Sequence, residues 1–594
     1  MFRREIKIPA NVIFFLLFSV SYCILPVWYV EPVSVFDRWL LFNGFLAVSL
    51  WLLFQKKLWD KNISFSFPHS FSYFLPLIAS TAALHLFFWH LPVPTGGDYQ
   101  SHAGPAAVAI AKVAEFINIP VLRIILWLGV VALFTSFMLK QKKKDISLDF
   151  TMRYKKIIIL VIFFMGNIYF ALINYYKVVS YLGMWETILR YPPVGKIIYL
   201  TGFIFFGIHE AVPRIIQFAF LTVAAVFLIK TMEMFYRAVP GKIIFILFLL
   251  FPSFFHFANY SLLTCGVVFF YSAASYYFLK ASETNDEKYL VKLALVLSVG
   301  MLYKRLLLGF IPVAFFYLLI FPHGREFNKN AAFYFALSLI CGFPFTILSG
   351  LLHVRDAAVS FSPQFFVNMK LLLATIGPVL FLAVVAGFFW DLKSGFSRSS
   401  AFFCILFAAY YVMISQTGAN GYIRHAQPFY LPVFYFIAVF LCRFRAADKK
   451  RIFPLVSVVL IAASVYFSFF QRNPTQRKSV FNRYEDVYPY EELSLYLQAL
   501  PQKNIKIYAP METEPANFYL AKHNLFGKIS WDRTSSYNID GEYILNKAAQ
   551  YDYLCLAETG KYENVIRDIL KTVPPEKVFD FYGNKIYLFK KQFK

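Results

Sequence analysis

The sequence predicts a polytopic α-helical membrane protein that carries a small α/β domain at its C-terminal end. Of the 594 residues, 59% are hydrophobic and only 15% are charged, and the mean hydropathy is +0.57. Soluble domains contain roughly 45–50% apolar and about 25% charged residues. Apolar runs of about 18–22 residues, such as residues 11–30 and 156–176, are long enough to cross a bilayer. The first run lacks a small-x-small cleavage pattern, which indicates an uncleaved first helix.

The net charge of +25 is distributed as membrane topology requires. Lys and Arg cluster in short segments between apolar runs, for example in "KQKKKD" and "CRFRAADKKR". Basic loops stay on the cytoplasmic side of a membrane. We therefore predict an N-terminus inside the cell, no nucleic-acid partner, and an integral protein of a bacterial cytoplasmic membrane. The loop with Asp98, residues 184–196, residues 416–428 and the tail from about Gln471 then lie outside, on the periplasmic side.

This distribution of basic loops predicts about fifteen spans, which we divide into three regions together with the tail. We expect extra helices in residues 1–60, a catalytic transmembrane domain in 61–470 and a soluble domain in 471–594. Residues 196–210 are short for a span and indicate an interfacial or re-entrant helix before the span that starts near Val212. The predicted spans centre near Phe18, Leu46, Ala82, Val131, Phe164, Leu221, Phe248, Phe269, Leu297, Phe315, Leu339, Leu380, Phe407, Phe436 and Ala462.

The hydrophilic tail alternates helix and strand patterns, which favours a small α/β domain. Residues 490–500 and 514–523 show helical patterns, and residues 504–510, 551–557, 577–583 and 585–591 show short apolar strand patterns. No glycine-rich phosphate loop opens a helix here, so we predict no nucleotide. The domain serves either as a cover or acceptor-docking surface, or as a purely structural cap.

The stretch that begins at Arg190 resembles a family of membrane enzymes. Tyr191-Pro192-Pro193-Val194 resembles the Pro-Pro element of glycosyltransferases of the GT-C superfamily, and Arg214 matches the arginine that opens their next span. The most similar members in style are the protein O-mannosyltransferases and the bacterial lipid A aminoarabinose transferase. Residues 301–319 resemble a later segment of these PMT-like enzymes, with Lys304 in the lysine position.

The resemblance continues to the end of the chain. Arg424, Pro428 and Pro432 match a late span of the family, and several bacterial members also end in an extramembranous α/β domain. The resemblance implies a GT-C-like fold and an inverting transfer of a sugar from a polyprenyl-phosphate donor to a glycolipid, glycan or protein acceptor. Membrane lipid is then a further partner of the protein. No cofactor is implied.

The catalytic acid is the point where the sequence departs from the family pattern. The family places an acidic residue in the first external loop, shortly after a span and some tens of residues before the Pro-Pro element. Here the loop that precedes the Pro-Pro element is short and holds only Glu186, and the more family-like loop, with Asp98, lies two spans earlier. We favour Asp98 as the base; the alternatives are that Glu186 is the base and that neither residue acts. Asp98 follows Gly96-Gly97, and His102 lies four residues on, on the same face of a helix if one starts there. The competing interpretation is a helix cap at Asp98.

Several cations are candidates for binding the lipid phosphate, and Arg424 and His425 are the first choice. Arg424 and His425 follow a Gly-Ala-Asn-Gly turn at headgroup height, where an arginine fork suits phosphate oxygens, although a snorkelling anchor has the same signature. Lys304 and Arg305 interrupt an apolar region, which is costly in lipid unless they face water or an anion. Tyr191, Lys196 and Arg214 flank the Pro-Pro loop; for Arg214, structural contacts to helix ends are the stronger alternative.

Three further function classes and a metal site fit the sequence less well than a glycosyltransferase. Scattered histidines and the absence of paired external carboxylates argue against a divalent cation. A transporter would show repeats and midplane charges. A lipid-linked glycan ligase or polymerase would share the external Arg/His chemistry without the Pro-Pro loop, and a scaffold would use only the tail.

Overall fold

The computed structural model describes most of the helical core and most of the C-terminal domain. The described residues are 6–24, 35–65, 70–89, 103–114, 121, 158–159, 161–168, 193–259, 263–342, 364–416, 427–447, 452–469, 488–509, 514–532, 541–558, 563–581 and 583–591.

Seventeen helices of the described chain precede the C-terminal domain. They are α1 Ala10–Ile24, α2 Val35–Leu53, α3 Lys56–Trp59, α4 Ser70–Trp89, α5 Gly104–Ala114, α6 Pro193–Phe206, α7 Ala211–Phe235, α8 Gly241–Leu249, α9 Pro252–Asn259, α10 Thr264–Thr284, α11 Glu287–Tyr303, α12 Phe310–Ile320, α13 Arg325–Gly342, α14 Gln364–Lys393, α15 Arg398–Gln416, α16 Gln427–Ala446 and α17 Phe453–Phe469.

Only part of the predicted span count can be tested by length and composition. Among the described residues, three helical stretches are long and apolar enough to cross a membrane: Ala211–Phe235, Leu373–Lys393 and Pro428–Ala446. The pair α8 and α9, bent by 52°, would count as a fourth. The other apolar stretches of described helix, such as Phe42–Leu53 in α2 and Phe74–Leu86 in α4, are 10–17 residues long, so the figure of about fifteen spans stays a prediction.

The short segment before Val212 forms a separate helix, as expected from its length. Helix α6 has 14 residues, and the chain then breaks at Gly207, whose φ of 86° is a left-handed conformation that favours glycine. Helix α7 follows with 25 residues and packs centrally against α10. The sequence assigned one span around Phe248, but the structure has the two helices α8 and α9, which meet at Phe251-Pro252. Proline at the start of α9 explains the break, because it lacks a backbone N–H.

Helix α14 contains a second kink. Gly377 has a φ of 75° and precedes Pro378, so two independent features interrupt the helix. The Phe467 ring of α17 lies so close to Gly377 that a side chain there would overlap it. Glycine at the kink therefore provides the space in which the Phe467 ring of α17 packs against α14.

Two clusters of charged side chains tie helix ends together on the side that the sequence predicts to be cytoplasmic, and the first of them is built around a buried carboxylate. Asp391 is fully buried, and its carboxylate accepts hydrogen bonds from Arg443 Nη2 at 2.5 Å, Ser400 Oγ at 2.5 Å and Tyr236 Oη at 3.0 Å. A buried carboxylate is tolerated when its oxygens are satisfied in this way. The contacts join α14, α15 and α16 to the end of α7.

The second cluster anchors the N-terminal region. Glu287, at the start of α11, pairs with Lys57 Nζ at 2.8 Å and Lys61 Nζ at 2.9 Å, and Tyr334 Oη donates to it at 3.0 Å. Nearby, strand β1 (Ile6–Pro9) pairs antiparallel with β2 (Asn62–Phe65). The two strands of this small sheet come from opposite sides of residue 60, where the sequence predicts a domain boundary.

The C-terminal region forms the expected small α/β domain. Its elements are helices α18 Tyr490–Ala499, α19 Glu514–Lys522, α20 Gly541–Ala548 and α21 Glu563–Thr572, and strands β3 Ile505–Tyr508, β4 Ile529–Asp532, β5 Tyr553–Ala557, β6 Lys577–Phe581 and β7 Asn584–Lys590. The sheet order is β4-β3-β5-β7-β6, with β3 parallel to β4 and β5, and β7 antiparallel to β5 and β6.

Alternation along the strands gives this sheet two buried faces. Ile505 and Ile507 point to the face covered by α18 and α19, and this face is continuous with the core of the helical region. Tyr508 and Leu554 pack on the opposite face with α20 and α21. The domain is thus attached to the membrane region through the α18–α19 face.

Candidate functional site

Arg214 joins the ends of three helices. It lies in the first turn of α7, directly after Pro213, where a proline costs no helical hydrogen bond. Its side chain is buried and donates from Nε to the Asn259 carbonyl at 2.9 Å and from Nη1 to the Trp89 carbonyl at 3.0 Å. These carbonyls end α9 and α4, and the last carbonyls of a helix carry partial negative charge that a guanidinium offsets. Arg214 therefore makes the helix-end contacts that were the stronger alternative in the sequence.

Asn259 extends this contact to α4. Its Nδ2 donates to the Phe255 carbonyl at 2.9 Å, which leaves Oδ1 as the acceptor. His85 Nδ1 lies 3.1 Å from that oxygen, so His85 carries its proton on Nδ1. The imidazole is fully buried between the rings of Phe218 and Phe255, at centroid distances of 4.7 and 4.4 Å.

Gln217, one turn after Arg214, connects four helices through its amide. Its Nε2 donates to Tyr199 Oη at 2.8 Å and to Tyr303 Oη at 3.2 Å, and its Oε1 accepts from Gly266 N at 3.3 Å. The Gly266 N–H lies in the first turn of α10 and has no partner within its own helix. Gly266 is required because a side chain there would overlap the Tyr303 ring. We call Arg214, Gln217 and Asn259 the polar junction.

Lys304 and Arg305 lie where α11 ends, next to the polar junction. Tyr303 is the last residue of α11, and Lys304 is extended, with φ −156° and ψ 133°. The Lys304 N–H donates to the Gly300 carbonyl at 2.8 Å, and a 3-10 helix then runs over Arg305–Gly309. The break places two half-buried cations in consecutive positions at one helix end. Both residues follow directly after the end of an apolar helix, and their role as phosphate ligands stays a prediction.

An ion-pair network attaches the C-terminal domain beside Arg214. Lys522, at the end of α19, donates from Nζ to Glu210 Oε1 at 2.7 Å and to Glu491 Oε1 at 2.6 Å. Glu210 directly precedes α7, four residues before Arg214. Burial alone would lower the pKa of Lys522, but the two carboxylates outweigh it and raise that pKa above its usual value. We call Lys522, Glu210 and Glu491 the domain latch.

His523 lies at the edge of the domain latch. Its Nε2 is 3.8 Å from Glu491 Oε1, and its side chain is 16% exposed. Burial, followed by the positive charge of Lys522, lowers the pKa of His523. The imidazole is consequently neutral near pH 7 and does not compete with Lys522 for the carboxylate.

Helices α5 and α6 meet the C-terminal domain at the same end of the bundle. Helix α5 begins at Gly104 and packs against both α19 and α6. The rings of Phe203 in α6 and Phe518 in α19 lie 6.0 Å apart. Lys196, in the first turn of α6, is buried at 1% exposure. Helices α5 and α6 and the C-terminal domain thus meet in one region of the fold.

Six of the predicted site residues lie outside the described residues. They are the proposed bases Asp98 and Glu186, together with His102, Tyr191, Arg424 and His425. Their roles stay predictions. The described chain resumes at Ala103 after His102, at Pro193 after Tyr191 and at Gln427 after His425.

The polar junction and the domain latch contain the residues that the sequence interpretation missed. Gln217 and Asn259 are neutral, and their partners are distant in the sequence, so no local pattern indicates them. A cluster of three or more His, Cys, Asp or Glu side chains that could hold a metal is not found in the part of the chain that the structure describes. What the described site offers chemically is cationic and hydrogen-bonding groups fixed around the ends of α4, α7, α9 and α11.

Comparison with known proteins agrees with the resemblance in the sequence. Residues 190–348 match the family model described as dolichyl-phosphate-mannose-protein mannosyltransferase. The matched part contains Arg214, Gln217, Asn259, Lys304 and Arg305. A comparison with curated proteins finds no match.

Solved structures show where the fold has been seen before. ArnT from Cupriavidus metallidurans bound to undecaprenyl phosphate is similar with a TM-score of 0.51 and 10% identity, over 88% of this chain and 98% of that one. The apo state of the same protein gives a TM-score of 0.48 and 12% identity, over 68% of this chain and 88% of that one. The resemblance to PMT-like enzymes predicted from the sequence is thereby confirmed over residues 190–348. The likeness to the structure bound to undecaprenyl phosphate shows a shared fold.

Proposed function

We propose that this chain, a PMT-like glycosyltransferase of the GT-C type, moves a sugar from a polyprenyl-phosphate donor to an acceptor at the external face of the membrane. The observation that carries the proposal is the family match over residues 190–348, since it contains the polar junction and the cation pair Lys304-Arg305. The fold likeness to a structure bound to undecaprenyl phosphate supports a lipid-linked donor of the same kind.

The reaction needs a base for the acceptor and a cationic site for the leaving group. A polyprenyl phosphate is already a good leaving group, so the acceptor is what requires activation. A carboxylate accepts the acceptor's proton while the nucleophile attacks the anomeric carbon from the opposite face. Inversion at that carbon follows from the single displacement. We assign the base to Asp98, with Glu186 as the alternative.

Negative charge that develops on the lipid phosphate is stabilised by fixed cations. We assign this role to Lys304 and Arg305, with Arg424 and His425 as a second group and Tyr191 and Lys196 beside them. An arginine fork matches phosphate oxygens in two parallel hydrogen bonds, whereas lysine acts as a compact point charge. Fixed charges cost no reorganisation at the moment of reaction. In this scheme Arg214 holds the helix ends in place around the cations.

The topology supports the external location. Basic loops on the predicted cytoplasmic side include those next to Asp391 and Glu287, and the opposite end of the bundle carries the polar junction and the domain latch. A bound lipid phosphate and the acceptor would meet at that end, under the C-terminal domain. The domain is then well placed to exclude water from the donor.

The test is a transfer assay in membranes that contain a polyprenyl-linked sugar. We expect Asp98→Asn to reduce transfer by about 10²-fold or more, as the loss of a general base does. Glu186→Gln leaves transfer near the wild-type level, and Arg424→Ala lowers it. Glu563→Gln, an exposed carboxylate on α21, is the matched control and leaves it unchanged.

Two results separate the base assignment from the enzyme class. Full activity in Asp98→Asn combined with loss in Glu186→Gln would move the base to Glu186. Transfer that persists after the polyprenyl-linked donor has been depleted would contradict the proposed donor itself.

A further inference from the structure

The carbonyl of Leu306 receives two tyrosine hydroxyls. Tyr271 Oη, from α10, and Tyr410 Oη, from α15, each donate to the Leu306 oxygen at 2.6 Å. The two rings meet edge to face, with centroids 5.3 Å apart and planes at 90°. Both lone pairs of one carbonyl are therefore used by side chains of two different helices.

The surroundings of this carbonyl are closed and rigid. Tyr271 and Tyr410 are at most 1% exposed. A side chain at Gly309 would overlap the Tyr410 hydroxyl, so glycine is what allows the ring to come this close. Leu307 lies over Gly300 in the same way, because a side chain at Gly300 would approach Leu307 Cγ to 2.9 Å. These contacts fix the 3-10 helix on its C-terminal side.

The N-terminal side of the same short segment is also fixed. Tyr303 is 1% exposed, and its hydroxyl accepts from Gln217 Nε2 at 3.2 Å. Lys304 and Arg305 are thus the two residues between a held tyrosine and a held carbonyl. Their backbone is therefore anchored on both sides by buried hydrogen bonds.

We propose that Tyr271 and Tyr410 are positioning residues, which hold Lys304 and Arg305 in place for the phosphate of the lipid donor. The inference rests on the proposed function, since it takes that phosphate as the ligand of the cation pair. The hydroxyls of Tyr271 and Tyr410 are uncharged, and each donates its only proton to the Leu306 carbonyl, so neither has a proton left to donate to the phosphate. Their effect is to remove the ordering cost that a mobile lysine and arginine would otherwise add to binding.

The experiment measures binding of undecaprenyl phosphate to the purified full-length protein in detergent. The variants are Tyr271→Phe, Tyr410→Phe and the double variant, each of which keeps the ring and removes the hydroxyl. We expect the double variant to bind undecaprenyl phosphate about tenfold more weakly, the size of effect that two lost hydrogen bonds allow. The uncharged lipid undecaprenol should bind to the double variant and to the wild type alike.

A matched control and a coupling measurement distinguish positioning from general damage. Tyr435 is also fully buried, and its hydroxyl lies 2.6 Å from Ser399 Oγ in the cluster around Asp391. Tyr435→Phe should leave undecaprenyl phosphate binding within about twofold of wild type. In a Lys304→Gln, Arg305→Gln background, the two tyrosine substitutions should cause no further loss, because the groups that they position are absent.

Each outcome decides a different point. Unchanged phosphate binding in the double variant, or an equal loss for undecaprenol, overturns the positioning role while the proposed function stands. An additive loss in the Lys304→Gln, Arg305→Gln background overturns it as well. A wild-type protein that does not distinguish undecaprenyl phosphate from undecaprenol contradicts the proposed function, and the positioning role is overturned with it.

Discussion

Replacing Lys522 with methionine should release the C-terminal domain from the membrane region. The substitution keeps most of the side-chain volume and removes the cation that two carboxylates share. The side chain of Glu210 is 11% exposed and that of Glu491 is 37% exposed. Breaking a fully buried ion pair costs about 3–5 kcal/mol, because one charge is left unpaired. Since Glu491 is partly hydrated, we expect a smaller cost of about 2–3 kcal/mol, or roughly 30- to 150-fold in the docking equilibrium.

Hydrogen exchange at the interface measures this equilibrium directly. The amides of α18, α19 and the start of α7 should exchange faster in Lys522→Met by about the same factor, because local opening controls their exchange. Lys571→Met is the matched control: Lys571 pairs with Asp568 at 2.7 Å on an exposed surface, with side chains 68% and 69% exposed. Such a pair contributes little. Equal exchange at these amides in Lys522→Met and Lys571→Met would refute the latch.

Two further predictions use the same purified protein. Because the folded-state pKa of His523 is lowered, the stability that His523 contributes is complete above the ordinary pKa of 6.5 and is lost as the pH falls below that value. The thermal unfolding temperature of the C-terminal domain should thus decline from pH 7 to pH 5, and His523→Gln should reduce this decline. An equal decline in the wild type and in His523→Gln would contradict this. Gly387→Ala forces a side chain onto the Phe436 carbonyl where α14 crosses α16, and should cost about 2–3 kcal/mol in thermal unfolding. Gly44→Ala, in open space on α2, should be neutral or stabilising by up to about 1 kcal/mol, and equal effects of the two would argue against the packing.

The C-terminal domain shows what local pattern predicts well. Strands β3, β5 and β6 and helices α18 and α19 lie within the predicted segments, and β7 begins one residue before its segment, since each has an apolar alternation or periodicity of its own. Strand β4 was missed because its four residues, Ile529–Asp532, contain as many polar as apolar side chains. Pairing with β3 makes it a strand, and that contact depends on tertiary structure.

The helical region shows where pattern is insufficient. The apolar run around Phe248 has the composition of one span, but Pro252 divides it into two helices whose axes are bent by 52° relative to each other. Likewise, the N-terminal pair β1–β2 joins residues more than fifty positions apart, and neither strand has more than four residues. Short elements that depend on distant partners leave little signal in their own residues.

At the site, charge could be predicted from residue type, whereas its support could not. Lys304 and Arg305 stand out because cations in an apolar run are costly. The hydroxyls of Tyr271 and Tyr410 reach Leu306 across 35 and 104 residues, and Lys522 reaches Glu210 across 312. These contacts arise from the packing of helices, and the spacing of the residues in the sequence does not predict them.

Inverting transfer from a lipid-linked donor can be measured with the purified protein and a defined polyprenyl-phosphate sugar of known anomeric configuration. We expect acceptor-dependent release of one polyprenyl phosphate per sugar transferred, and a product of inverted configuration. Retained configuration, or transfer without release of the lipid phosphate, would contradict it.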